Sequence, residues 1–178
     1  MFELYNYDQK IPKNKYDSIY KIIIDNYFDR NKELVSIREE IDTQEAYNNW
    51  VNTILNTKDY NVLLYYIDNK IIGFTAFMYI DNELCLSEVQ LNIEYKNKGY
   101  LKNMLREVIK VSDKTRYSMI YGTINDNNLL SKQVFAHIGF KNTSKNRYEI
   151  SKEDLNVWLE DQFLLNEELH RQKKSLRV

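Results

Sequence analysis

Residues 84–112 constrain the fold of this chain more than any other stretch. The segment 84–93 is predicted to be a β-strand, and the polar turn over 94–100 that follows it contains Gly99. A helix is predicted to open at Leu101, and its apolar residues recur at i, i+3, i+4, i+7 and i+8: Leu101, Met104, Leu105, Val108 and Ile109. A glycine-bearing turn before a helix brings unpaired backbone N–H groups and the positive end of the helix dipole to one point. The stretch therefore predicts a site for a phosphate or pyrophosphate group.

The charge of this stretch favours an anionic ligand. Positions 94–116 carry three acidic residues and seven basic ones, which are Lys96, Lys98, Lys102, Arg106, Lys110, Lys114 and Arg116. The whole chain has a net charge of −1, so the basic excess is local. The alternative is a solvated helix face, because Lys102, Arg106 and Lys110 follow i, i+4 spacing. A compact basic stretch in a nearly neutral chain gives little support to nucleic-acid binding.

Length and composition bound the class of protein. With 178 residues the chain is long enough for a sizeable core, and we expect a single domain over 1–178. The sequence contains no run of about 18 apolar residues, so no membrane span is expected. The N-terminus does not resemble a signal peptide. Cys85 is the only cysteine, which excludes an internal disulfide and fits a reducing cytoplasm. With two histidines and one cysteine, no zinc or other metal site is expected.

Periodicity and turn residues predict a mixed order of elements. In chain order they are helix 12–29, helix 43–55, strand 61–68, strand 71–80, strand 84–93, helix 101–112, strand 117–124, helix 129–137, a short strand from 140 and strand 147–150. Thr43 is the predicted N-cap of the second helix, and Gly73 is predicted to mark a bulge or a close backbone approach. Leu130, Val134 and Ile138 are expected on one face of helix 129–137. These elements predict a mixed α/β (α+β) domain with one mostly antiparallel sheet and helices on both faces.

A terminal amphipathic helix is predicted to begin near Ser151, where residues 151–154 resemble a capping box. Its apolar face is expected to consist of Leu155, Trp158, Leu159, Gln162, Phe163 and Leu169. Such a helix serves packing or a contact between two copies of the chain, so a homodimer is one expectation.

Two motifs resemble those of the GNAT family, the Gcn5-related N-acetyltransferases. Residues 92–101 are similar to the family's acetyl-CoA signature, Arg/Gln-x-x-Gly-x-Gly/Ala, with Lys96 at the basic position and Gly99 at the glycine. Residues 128–140 resemble the family's second motif, which has an asparagine, a small residue three positions later and a final Gly-Phe. In this chain these are Asn128, Ser131, Gly139 and Phe140. The two motifs occur in the family's order and separation, and the resemblance covers 62–150.

The resemblance implies acetyl-CoA as co-substrate, with an acceptor side over 1–60, an acetyl-CoA-binding core over 61–150 and a C-terminal helix over 151–178. The residues that it places beside the cofactor are Leu91, Ile93, Lys96, Asn97, Lys98, Gly99, Tyr100, Leu101, Asn128, Ser131 and Phe135. In this scheme the backbone amides of 96–101 hold the pyrophosphate. Main-chain groups near Leu91 and Ile93 pair with the pantetheine arm, and Asn128 hydrogen-bonds it.

Two positions depart from the family pattern. Leu101 stands where a small residue is usual, and its side chain would crowd the phosphates unless it points away. Phe135 stands where many members carry the tyrosine that protonates the leaving thiolate, and phenylalanine has no proton to give. Three explanations stand: the thiolate leaves unaided because a thiol pKa is only about 8.5; Tyr121, Tyr100 or a water supplies the proton; or transfer activity has been lost.

Attack of a neutral amine on a thioester requires a base as well as positioning. The candidate bases are Glu88 and Glu83, on or beside the central strand, and Glu88 is preferred. Strand alternation predicts that Glu88 and Leu91 face opposite ways, and that Glu83 and Glu88 also do so unless a bulge lies between them.

The sequence therefore predicts an acetyl-CoA-dependent N-acetyltransferase that acts on a primary amine of a small molecule or of a peptide or protein. The acidic balance outside the basic stretch mildly favours a cationic acceptor. The alternative is a non-catalytic module of the same fold that binds CoA or acyl-CoA as a sensor or partner subunit, a hypothesis that Phe135 motivates. A third hypothesis is that the protein transfers a group other than acetyl, such as a longer acyl chain.

Overall fold

The structure, a computed structural model, describes residues 1–6, 8–31, 37–56 and 59–160. Its strands are β1 (Phe2–Tyr5), β2 (Asn61–Ile67), β3 (Lys70–Ile80), β4 (Glu83–Leu91), β5 (Met119–Thr123), β6 (Lys141–Ser144) and β7 (Arg147–Ser151). Its helices are α1 (Lys13–Asn31), α2 (Ile37–Asn56), α3 (Tyr100–Val111), α4 (Leu129–Ile138) and a further helix whose described part is 152–160. A 3-10 turn, Ile93–Tyr95, lies between β4 and α3.

The seven strands form one sheet in the order β1-β2-β3-β4-β5-β7-β6. β4 and β5 are parallel, whereas β1–β2, β2–β3, β5–β7 and β6–β7 are antiparallel. This confirms the predicted mixed, mostly antiparallel sheet. The chain forms two compact units: unit 1 contains Met1–Tyr79 and Leu86–Ser112, and unit 2 contains Ile80–Cys85 and the described chain from Asp113.

In unit 1 the hairpin of β2 and β3 is covered on both faces, because neighbouring strand residues point to opposite sides. One face packs against α1 and α2 in a cluster of Ile19, Ile22, Ile23, Val51, Val62, Leu64, Tyr66, Phe74 and Ala76. The other face packs against α3 through Tyr65, Ile72 and Met104. Helices on both faces are therefore confirmed within this unit. Burial of these side chains is the main stabilising contribution.

Gly73 lies at a close approach between β3 and the end of β4. A Cβ atom at this position would lie 2.6 Å from the Gln90 carbonyl oxygen and 2.8 Å from the Leu91 Cδ2 atom. The register of β2 and β3 also shifts between Tyr65 and Tyr66, next to this site. The sequence-based prediction of a bulge or a close approach at Gly73 is thus confirmed on both counts.

In unit 2 the strands β4, β5 and β7 present two different faces. Leu84, Ile120 and Ile150 are register neighbours and are buried, and they form part of the apolar face. Cys85, Tyr121 and Glu149 are the next register neighbours and point to the opposite face. This second face carries the polar residues described below.

Several element boundaries differ from those predicted. Helix α2 begins at Ile37, so Thr43 is an interior helical residue and not the N-cap. β4 ends at Leu91 because the Asn92 side chain accepts a hydrogen bond from the Glu94 N–H and starts the 3-10 turn. Helix α3 begins one residue early, at Tyr100.

Other differences concern faces and the chain ends. Leu130 is 53% exposed and does not join Ile138 on the buried side of α4. A short strand, β1, forms at the start of the chain, before the first predicted helix. In the terminal helix Leu155 and Leu159 are buried as expected, whereas the predicted face positions Gln162, Phe163 and Leu169 lie outside the described residues.

Candidate active site

The turn between β4 and α3 presents backbone N–H groups at the start of a helix. Asn97 and Gly99 adopt left-handed conformations, with φ of 59° and 79°. Gly99 is the N-cap of α3, and as a glycine it has no side chain with which to cap the first-turn N–H groups. No atom lies within 4 Å of a Cβ built on Gly99, so glycine is required there by backbone conformation and not by space. Since first-turn N–H groups have no partner within a helix, this geometry suits an anionic group.

Aromatic side chains hold this turn from the side of the sheet. Tyr65 of β2 stacks on Phe2 with ring centroids 4.3 Å apart and meets the edge of Tyr100 at 5.9 Å. Tyr100 in turn lies 5.8 Å from the Tyr95 ring, over which the Lys98 Nζ atom lies at 5.7 Å. The Tyr100 side chain is thus part of the packing of unit 1, which leaves its backbone N–H as the group that a ligand would use.

The basic residues of this stretch divide into two kinds. Burial, and the nearby positive charge of Arg106, lower the pKa of Lys102 in the first turn of α3. Lys110, in the last turn, forms an exposed ion pair with Glu107 at 3.0 Å. The C-terminal part of the basic stretch is therefore a solvated helix face, and the N-terminal part is the better candidate for ligand binding.

The carbonyl groups at the end of β4 already accept hydrogen bonds. The Leu91 oxygen accepts from the Asn26 Nδ2 atom at 2.8 Å, and the Ile93 oxygen accepts from the Lys96 N–H at 3.2 Å. Ile93 belongs to the 3-10 turn and not to the strand. A pantetheine arm that pairs here as an extra strand would share these oxygens or use other main-chain groups of β4.

Glu88 lies in a polar network on the side of unit 1 that faces α1 and α2. The Trp50 indole N–H donates to its Oε1 atom at 3.0 Å, and the Gln90 amide donates to its Oε2 atom at 2.8 Å. The Asn26 amide, on a residue that is only 2% exposed, donates to the Gln90 Oε1 atom at 2.9 Å. Leu91 packs instead against the α3 side. Glu88 and Leu91 therefore face opposite ways, as strand alternation requires.

Glu83 and Tyr121 lie together in unit 2, around Arg147. The Arg147 guanidinium donates to the Glu83 Oε2 atom at 2.7 Å and also pairs with Glu149. Its Cζ atom lies 3.7 Å from the centroid of the Tyr121 ring, within cation–π range. Burial and a hydrogen bond with the Cys85 side chain raise the pKa of Tyr121 to about 12. The Tyr121 hydroxyl is therefore protonated at neutral pH, and the Glu83 carboxylate is engaged by a cation.

The second motif also lies in unit 2. The Asn128 side-chain oxygen accepts from the Ser131 N–H at 3.2 Å and caps α4. Phe135 packs with its ring centroid 4.5 Å from that of Phe140 and 6.2 Å from that of Tyr148. Gly139 ends α4 in a left-handed conformation. Asn128 thus has a structural role that accounts for its position, and a role in cofactor binding remains a prediction.

A family model described as an acetyltransferase (GNAT) domain matches residues 10–157. The chain belongs to the GNAT family of acetyltransferases. No curated protein matches the chain in a comparison of sequences. Among the described residues, no group of three or more His, Cys, Asp or Glu side chains could hold a metal ion. In the same part of the chain, no helix has the length and apolar character needed to cross a membrane.

Solved structures of other GNAT acetyltransferases share this fold. The PaiA N-acetyltransferase of Thermoplasma acidophilum, solved in complex with coenzyme A, has a TM-score of 0.63 at 18% identity, over 85% of this chain and 99% of that one. A GNAT acetyltransferase of Bacillus cereus has a TM-score of 0.54 at 19% identity, over 85% and 98% of the two chains. Tetrahymena Gcn5 has a TM-score of 0.59 at 9% identity, over 85% and 95%. At these identities the similarity shows the fold.

Sequence reasoning missed the partners of both candidate bases in this GNAT chain. Asn26 follows Ile19, Ile22 and Ile23 on the buried face of α1, and a polar residue in that pattern was a usable signal. Trp50 and Arg147 gave no comparable signal, because their roles depend on contacts between residues distant in sequence. Gln90 is only two positions from Glu88, but the orientation of its amide depends on the distant Asn26.

Proposed function

We propose that this protein transfers an acetyl group from acetyl-CoA to a primary amine of a small molecule or of a peptide or protein, by direct attack of the amine on the thioester. The observation that carries the proposal is the turn before α3, in a chain of the GNAT family. Two left-handed residues, Asn97 and Gly99, lead there to a helix start whose N-cap residue, Gly99, has no side chain to occupy the first N–H groups. The coenzyme A bound by the Thermoplasma acidophilum relative supports the choice of cofactor.

In this proposal the turn holds the pyrophosphate of acetyl-CoA. The backbone N–H groups of residues 96–101 bind the phosphate oxygens, and Lys96 and Lys98 add positive charge. Leu101 is only partly buried, and its contribution is made through its backbone. Main-chain groups near Leu91 and Ile93 bind the pantetheine arm.

Asn128, Ser131 and Phe135 are proposed to line the same arm. The Asn128 oxygen caps α4, so its amide nitrogen is the atom that would donate to the cofactor. Phe135 supplies apolar contact and no proton.

Glu88 is the proposed base. Its two oxygens accept hydrogen bonds from the side chains of Trp50 and Gln90, which orient the carboxylate. Glu83 is the second candidate and is less suited to the role, because the guanidinium of Arg147 already engages its carboxylate. A positioned carboxylate keeps the attacking amine neutral by accepting its proton.

Tyr121 is the proposed donor to the departing thiolate, in place of a tyrosine at Phe135. Its raised pKa, about 12, keeps the hydroxyl protonated across the working range of pH. A thiolate of pKa about 8.5 needs only modest assistance, so this contribution is expected to be small.

A second candidate function is a module that binds CoA or acyl-CoA without transfer. Phe135 favours it, because the ring is packed against Phe140 and Tyr148 and offers no hydroxyl. This candidate shares the phosphate-binding turn with the first and differs only in turnover.

The remaining expectations complete the proposal. Cys85, the only cysteine, fits a cytoplasmic location. The acidic balance outside the basic stretch favours a cationic acceptor, and neither nucleic acid nor membrane is expected as a partner. Homodimer formation through the terminal helix is a further expectation, to be measured by light scattering.

Calorimetric titration with acetyl-CoA tests the turn. In Gly99→Ala the left-handed backbone becomes strained by about 1 kcal/mol, and we expect acetyl-CoA to bind roughly 5- to 10-fold more weakly. Gly139→Ala is the matched control, because Gly139 is also left-handed and a Cβ there meets only Ile150 at 3.5 Å. It carries similar strain away from the turn and should bind acetyl-CoA as the wild type does. Equal binding by the Gly99→Ala variant would remove the turn from the site.

Release of CoA in the presence of pooled amines then separates the two functions. Binding with amine-dependent release establishes a transferase, and division of the pool identifies the acceptor. Binding without release across the pool favours the binding module. A folded sample that does not bind acetyl-CoA would contradict both.

A further inference from the structure

A chain of hydrogen bonds leads from α1 to Glu88 on β4: Asn26 donates to Gln90, and Gln90 donates to Glu88. The Asn26 amide nitrogen donates both to the Gln90 Oε1 atom at 2.9 Å and to the Leu91 oxygen at 2.8 Å. A side chain that is 2% exposed and makes two such bonds is held in one orientation.

This arrangement determines which end of the Gln90 amide faces Glu88. Because Oε1 of Gln90 accepts from Asn26, the amide nitrogen points the other way and donates to the Glu88 Oε2 atom at 2.8 Å. The reversed amide would place two acceptor oxygens together. Gln90 and Glu88 are separated by two positions on β4, so they share a face of the strand.

The second oxygen of Glu88 is held from a different helix. The Trp50 indole N–H of α2 donates to Oε1 at 3.0 Å, and an indole nitrogen can only donate. Trp50 packs against the cluster that joins α1 and α2 to the sheet, so its ring is held by packing as well. Donors from two elements, α2 and β4, therefore contact the two oxygens of the carboxylate and contribute to its orientation.

We propose that Asn26, acting through Gln90, and Trp50 are positioning residues that orient the Glu88 carboxylate toward the amine of the acceptor. The inference rests on the proposed function, in which Glu88 accepts a proton from that amine. Asn26 has no contact with the reacting atoms in this scheme, and its effect on catalysis passes through Gln90 and Glu88.

Double-mutant cycles on kcat/KM test this role. We expect Gln90→Met, which keeps the length of the side chain and loses the donor, to lower kcat about 10-fold with little change in KM for the acceptor. Trp50→Phe keeps an aromatic ring, loses the N–H and should behave similarly. Asn26→Asp replaces the donor by an acceptor and should turn the Gln90 amide, with an effect at least as large.

The decisive result is the effect of each substitution in a Glu88→Gln background. If the three residues act through Glu88, none of them should lower kcat/KM further there, whereas a general loss of structure would be additive. Thr115→Val is the control: it removes one side-chain hydrogen bond, from the Thr115 hydroxyl to the Asp113 Oδ1 atom at 2.7 Å, and lies outside both the network and the acceptor side over 1–60. It should leave kcat unchanged.

The outcomes separate this inference from the proposed function. Additive losses in an active enzyme would overturn the positioning role and leave the transferase intact. A wild-type protein that binds acetyl-CoA but releases no CoA with any amine would overturn both. If Asn26→Asp does not fold, Gln90→Met and Trp50→Phe still decide the matter.

Discussion

Two carboxylates on the same strand, Glu88 in unit 1 and Glu83 in unit 2, are held in different ways. Glu88 accepts from the neutral donors Trp50 and Gln90. Glu83 is paired with the cation of Arg147. The hydrogen bonds from Trp50 and Gln90 orient the Glu88 carboxylate, whereas the ion pair with Arg147 uses the charge of Glu83 for structure. We therefore expect Glu88 to contribute to catalysis and Glu83 to contribute to stability.

The largest effect that would test this difference is on catalysis. We expect Glu88→Gln to lower kcat by about 10²- to 10⁴-fold, the usual contribution of a general base, and to lower it more at low pH than at high pH. Glu83→Gln, the matched substitution, should lower kcat less than about 10-fold. Steady-state kinetics across pH decides between them. The reverse order of effects would assign the base to Glu83, and an unchanged pH profile would remove Glu88 from the role.

Tyr121, beside Arg147 in unit 2, tests whether that unit contributes to catalysis at all. We expect Tyr121→Phe to lower kcat on the order of 10-fold, less than a typical general acid, because a thiolate leaves readily. Since its pKa is about 12, no loss of wild-type kcat from Tyr121 ionisation is expected between pH 6 and about 10. Tyr148→Phe, on the opposite face of the unit, is the control. An unchanged kcat in Tyr121→Phe would leave the thiolate to depart unaided.

Arg147 tests whether the ion pair of Glu83 contributes to stability. Arg147→Met would leave Glu83 and Glu149 together without their cation, and we expect a loss of about 1–2 kcal/mol in the free energy of unfolding. The value lies below that for a fully buried pair, because these side chains are 21–30% exposed. Urea denaturation measures it. Lys110→Met, which breaks an exposed pair, should cost no more than about 0.5 kcal/mol. Equal losses in the two variants would contradict a special role for Arg147.

Glu3 is held both by a cation, Lys15, and by the neutral hydroxyls of Tyr66 and Tyr5. Its substitution is expected to have the smallest effect of those considered, on the pH dependence of stability. Burial opposes its ionisation, but hydrogen bonds from Lys15, Tyr66 and Tyr5 outweigh it and lower the pKa from 4.5 to about 2. A lowered folded-state pKa contributes stability that is present above about pH 4.5 and is lost as pH falls toward 2.

The measurement is the melting temperature between pH 5 and 3. Glu3→Gln should flatten its decline slightly, since the carboxylate is partly exposed and screened by solvent. Asp25→Asn is the control, because it breaks an exposed pair with Lys21, at 2.9 Å, on the surface of α1. A decline as steep in Glu3→Gln as in the wild type would show that Glu3 is not the group that titrates.

The sequence by itself determined the elements and the two motifs. Apolar periodicity predicted α1, α3 and the hairpin of β2 and β3, and Gly99 with the basic residues around it predicted the turn before α3. These features are local: each depends on residues within a few turns of helix or one hairpin, so the pattern is visible in the chain.

Tertiary structure decided the partners of the charged groups. Trp50 reaches Glu88, Asn26 reaches Gln90 beside it, and Arg147 reaches Glu83 only because folding joins segments far apart in sequence. No periodicity encodes such contacts. A glutamate reads the same in a sequence whether a neutral amide or a guanidinium faces it, and its chemistry depends on which of them the fold supplies.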